Sequence, residues 1–202
     1  MVASLPVTTT MWMIMMMVMM TPSTLPWLSG FAAMSRERES GIIRHGWVAL
    51  FGLGYLFVWA GFSLVAASLQ VWLRSQALLQ DSAAVTAPLG ALVLVCAGLY
   101  QLTPAKVACM RHCRTPLNYF LSHWRNGPGG SLRMGISHGA FCVACCWALM
   151  LSGFALGVMN LAWMAVLTVI VALETLAPRG DQIGRLAGAA MVLWGLTLLL
   201  HN

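Results

Sequence analysis

Residues 46–73 read GWVALFGLGYLFVWAGFSLVAASLQVWL, with no Asp, Glu, Lys or Arg among them. About 20 apolar residues in a helix cross the hydrocarbon core of a bilayer, which is about 30 Å thick. No water is available there to bond an open backbone, so a run of this kind folds as a helix. The stretch is long enough to span with some tilt, and it sets the class of the whole chain.

Five further runs resemble it, near 9–33, 84–102, 135–155, 158–177 and 184–201. The expected architecture is therefore all-α, a polytopic transmembrane bundle of about six helices forming a single domain over 1–202. Hydrophobic residues make up 60% of the chain and charged residues 8%, and the mean hydropathy is +0.82. A soluble domain carries about 25% charged residues. Residues 11–20 have no basic segment ahead of them and no small-x-small site close behind, so a retained helix is expected there rather than a cleaved leader. Pro22 and Pro26 are expected to interrupt this first helix.

The net charge is +6. The basic residues sit in short segments between apolar runs, which excludes a nucleic-acid platform and points to the bilayer as partner. Arg36, Arg38 and Arg44 fall in 34–45; Lys106, Arg111, Arg114, Arg125 and Arg133 in 103–134; Arg179 and Arg185 in 178–185. These segments alternate so as to share one side, leaving Arg74 on the other. The positive-inside rule puts them in the cytoplasm and both termini outside, as in a multi-pass bacterial inner-membrane protein. The 103–134 segment, with Pro104 and Pro116 and the aromatic residues Tyr119, Phe120 and Trp124, reads as a short basic interfacial stretch.

Candidate chemistry lies in soft ligands. His138, Cys142 and Cys145 fall within about 60° of arc on one helix, with Cys146 about 40° from Cys142. Cys109 and Cys113 stand at i and i+4, with His112 between them. Thiolates select Cu(I), Zn²⁺ or iron–sulfur chemistry. Seven methionines crowd residues 11–20, and Met13, Met16, Met17 and Met20 form a stripe at helical spacing. Packing is the commoner use of Met; a low-affinity Cu(I) path through Met16 and Met20 is the functional alternative. Cys96 reads as a packing residue. Asn160, Trp163 and Met164 share a face with Met159 beside them, and Glu174 is the one acid inside a span, within reach of Arg179 or the interface.

The blocks Met16–Ser23, Gly98–Pro116 (Gln101-x-Thr103-Pro104-x-Lys106, then Cys109-x-x-x-Cys113), Cys142–Met150 and Gly157–Met164 resemble a bacterial family of predicted metal-binding integral membrane proteins classed as a domain of unknown function. Ala144 stands where that pattern has glycine. The resemblance implies a membrane location and metal binding, and it points to Cys109, Cys113, Cys142, Cys145 and Cys146.

Three functions follow as expectations. The first is a protein that handles Cu(I) or another soft metal, with Zn possible, for transport, delivery or resistance, working with a metal-delivery protein or membrane complex. The second is a membrane thiol–disulfide oxidoreductase using Cys142 and Cys145. The third is a structural accessory subunit without metal. No catalytic triad, paired carboxylates or phosphate loop is present, so enzymatic activity is not expected. Gly52, Gly54, Gly184 and Gly188 offer faces for close helix packing, within the chain or between chains.

Overall fold

The computed structural model describes residues 4–36, 41–80, 84–158 and 160–201. Arg38 and Met159 fall outside them. The described residues form eight helices: α1 (Leu5–Arg36), α2 (Gly41–Ser75), α3 (Ala87–Leu102), α4 (Pro104–Cys113), α5 (Pro116–His123), α6 (Gly127–Leu156), α7 (Leu161–Leu176) and α8 (Gly180–Leu200). The protein is an all-α bundle. Helices α1, α2, α6 and α8 are long and apolar enough to cross a membrane, and α3 with α4 makes a fifth span if the bent pair is taken as one. That pair bends by 67° at Thr103. Helix α7 is apolar but has only 16 residues, or about 24 Å at about 1.5 Å per residue.

Pro22 and Pro26 do not interrupt α1, which runs through both. Side-chain hydroxyls bond carbonyls around the prolines: Thr21 donates to Met17 at 2.7 Å, and Ser23 and Thr24 donate to Met20 at 2.9 and 2.8 Å. Such local partners are what allow proline inside a membrane helix.

The expected interfacial stretch at 103–134 is mostly ordered helix and partly inside the bundle. Residues 127–134 open α6. The buried face of α4 carries Lys106, Met110 and Cys113, and the helix packs against α6. Composition misleads here because the charges divide. Lys106 turns inward, while Arg111 is exposed.

Helix α2 lies along α6 and α3 along α8, the two most extensive pairings in the bundle. Both depend on glycine. A Cβ on Gly135 of α6 would strike the Phe51 carbonyl of α2, and one on Gly54 would strike the Leu132 carbonyl. Across α3 and α8, a Cβ on Gly98 would come within 2.6 Å of the Gly188 carbonyl. Gly54, Gly184 and Gly188 are thus used within the chain, whereas Gly52 has only Leu28 at 4.0 Å. A short turn joins α6 to α7, with Gly157 at φ 93° and the Asn160 side chain accepting from the Trp163 N–H. It does not lead into a close hairpin along its length: α7 packs chiefly on α1 and α8.

The three basic segments meet at one end of the bundle. Phe31 near the end of α1 stacks on Trp124 with centroids 5.2 Å apart. Arg114 pairs with Asp181 at 2.9 Å and donates to the Ala177 and Pro178 carbonyls.

Because Gly135 meets backbone rather than a movable side chain, Gly135→Val should separate α2 from α6. The expected loss is about 1–3 kcal/mol, typical of overpacking. It should appear as a lower midpoint in a thermal unfolding series of detergent-solubilised protein, and an unchanged midpoint would refute the close contact.

Candidate metal-handling site

Helices α4 and α6 meet at their cysteines. Cys113 Sγ lies 3.8 Å from Cys145 Sγ, and Cys145 Sγ lies 3.2 Å from Cys146 Sγ. Cys145 also donates to its own helix, at the Cys142 carbonyl. The Tyr55 hydroxyl from α2 stands 3.5 Å from Cys142 Sγ. All four of these cysteines are buried and unoxidised. Their spacing on α6 explains the convergence: residues 142, 145 and 146 occupy one helical face, and that face is turned toward α4.

Met16, Met19 and Met20 of α1 and Met110 of α4 belong to the same buried core as these cysteines. The stripe expected to include Met13 and Met17 is only partly inward: Met17 is exposed, and both line an outer groove with Leu5 and Leu64. Cys96 is exposed on α3.

The histidines lie elsewhere. His138 is buried, and neither ring nitrogen has a hydrogen-bond partner among the described residues. Its ring is stacked on Trp27 with centroids 3.8 Å apart, and Tyr55 and Phe51 stack at 5.2 and 6.2 Å. His112 stacks on Phe141 at 3.8 Å and also on Trp27 at 5.9 Å. Trp27 thus stacks with both imidazoles, and its indole N–H donates to the Cys113 carbonyl at 2.8 Å. Cys109 is half-buried, one turn before Cys113 on α4. Among the described residues, no three His, Cys, Asp or Glu side chains are arranged around a common point as a bound metal requires. The sulfurs form a chain of contacts instead.

A second buried polar group adjoins the thiols. Lys106 Nζ pairs with Glu174 Oε2 at 2.6 Å, and the side chains are 4% and 1% exposed. Gln101 completes the group, donating to Glu174 Oε1 at 2.7 Å and accepting from Lys106. Glu174 thus reaches neither Arg179 nor the interface. Gly184 of α8 closes over it, with space for a Cβ only 3.0 Å from the carboxylate, and Gly188 lies against Gln101. The sequence does hold a signal for this group. Gln101 and Lys106 belong to one quoted block, and Lys106, Met110 and Cys113 recur at 4 and 3 residues, the spacing of one helix face.

The fold and site define a class: a multi-pass membrane bundle whose core holds a line of buried thiols and a buried ion pair. The family model described as PpoB2, a copper chaperone, matches residues 9–198, and the chain belongs to that family. No curated protein and no solved structure matches it.

An unpaired buried nitrogen costs about 1–3 kcal/mol, and His138 contributes two. His138→Phe keeps the stack and removes both. The thermal midpoint in detergent should hold or rise, while a fall of several degrees would mean that these nitrogens have an unseen partner.

Proposed function

We propose that the protein binds Cu(I) in the membrane and passes it on, with Cys113, Cys142, Cys145 and Cys146 as the principal ligands. The copper is cargo rather than a resident cofactor. The observation that carries this reading is the contact between Cys113 of α4 and the α6 cysteines, inside a core shared with the α1 methionines. In a tetrahedral site with metal–sulfur bonds of about 2.3 Å, sulfurs stand about 3.8 Å apart. The Cys113–Cys145 separation is already of that size, and rotation of neighbouring thiols would close the set.

Thiolate and thioether together favour Cu(I), whereas Zn²⁺ is also suited by imidazole and carboxylate. His138 and His112 are engaged in aromatic stacks, and among the described residues no carboxylate or imidazole joins the cysteines in a cluster. Met16 and Met20 serve as weaker donors along α1 on the way to the thiols. Cys109, less buried than Cys113, is the outer step on α4.

A thiol–disulfide exchange role is less well supported by the same geometry. A partner disulfide must reach a sulfur in line, and Cys142, Cys145 and Cys146 are 3%, 1% and 0% exposed.

In this reading α1, α2, the bent α3–α4, α6, α7 and α8 make six crossings of a bacterial inner membrane. The end that gathers the three basic segments faces the cytoplasm. Delivery then needs an acceptor protein or complex, since the chain carries no nucleotide site to drive movement.

Anaerobically purified protein should bind about one Cu(I) per chain, with sulfur ligation of the kind soft thiolates provide. Cys145→Ser with Cys146→Ser should lower the affinity at least a hundredfold, about 2.8 kcal/mol, while leaving the protein folded. His138→Phe should leave it nearly unchanged. Copper retained at full affinity by the double serine variant would exclude this site.

A further inference from the structure

Lys106 and Glu174 form an ion pair whose side chains are both buried. A pair of this kind is weak evidence for stability, because desolvation offsets much of its attraction. Its position relative to the thiols suggests another role. Lys106 shares the buried face of α4 with Met110 and Cys113, two helical turns before Cys113, or about 10 Å along the axis. From α3 the group receives Gln101, which is neutral; from α7 it receives Glu174; from α8 it meets Gly184 and Gly188, and Asp181 lines the same small cavity. Of the other basic residues near the end of α4, Arg111 is exposed, and Arg114 is paired with that same Asp181 at 2.9 Å, which leaves the aspartate compensated.

One Cu(I) held by two or more thiolates carries net negative charge. In a bundle surrounded by lipid such a charge must be balanced by a nearby group. We infer that Lys106 is the counter-charge of the thiol centre, and that Glu174, paired with it from α7, tunes how strongly the centre feels it. Gln101 holds both side chains in place. Lys106 and Glu174 are positioning residues and do not ligate the metal. Their role depends on the thiols being the copper site.

The test is Cu(I) affinity, measured anaerobically in detergent by competition with a chromophoric Cu(I) chelator, with thermal midpoints taken in parallel. Glu174→Gln frees the lysine charge and should tighten binding about tenfold, while Lys106→Met leaves the carboxylate alone and should weaken it about tenfold, each about 1.4 kcal/mol. Lys106→Arg should rescue. A purely structural pair would instead move both variants in the same direction, and that result overturns the inference. If either single variant fails to fold, the charge-free Lys106→Met/Glu174→Gln protein decides. It should bind copper several-fold more weakly than wild type, and equal affinity overturns the inference. Loss of copper binding in the wild-type protein itself would instead overturn the copper reading, a separate failure visible in the first titration.

Discussion

The Lys106–Glu174 ion pair explains why α4 lies inside the bundle. By composition α4 belongs at a membrane surface, since four of its ten residues are Lys, Arg, His or Pro. One contact reverses that expectation. Glu174, in the last turn of the apolar α7, is 1% exposed, and a carboxylate left alone there would be costly. Lys106 meets it only if the chain bends sharply after α3 and α4 enters the bundle. The same rotation of α4 brings Met110 and Cys113 inward, and so sets Cys113 against Cys145. The thiol line thus depends on an ion pair that contains no thiol.

Glycine makes room for the arrangement. On α8, Gly184 and Gly188 let the helix lie directly over Glu174 and Gln101, where a larger residue would force the polar group toward lipid. On the other side, Gly54 and Gly135 bring α2 onto α6, which puts the Tyr55 hydroxyl beside Cys142 and the Tyr55 ring beside His138. Lipid offers little hydrophobic drive for helix association, so close backbone contact and internal polar bonds carry more of the burden.

Much of the fold was legible because lipid simplifies the code. The apolar runs marked the long helices, and the three clusters of basic residues identified the segments that meet at one end. The sequence pattern also found the cysteine face of α6, since residues 142, 145 and 146 can only lie together on a helix. Less legible was everything that depends on tertiary partners. Pro22 and Pro26 looked like breaks because their local bonding by Ser23 and Thr24 is not visible in an apolar pattern. Lys106 was counted with the surface charges because its partner lies 68 residues away. His138 shares a face with Cys142, but its ring is engaged in stacks with Trp27, Tyr55 and Phe51, which come from other helices.

The central claim is that copper rests on sulfur contributed by both α4 and α6. X-ray absorption at the copper edge on anaerobically loaded protein tests it most directly, with wild type measured beside Cys113→Ser. Wild type should show a first shell of sulfur alone at about 2.2–2.3 Å, the range of metal–thiolate bonds, and the variant should lose sulfur from that shell. A shell dominated by nitrogen, or one unchanged by Cys113→Ser, would contradict the account.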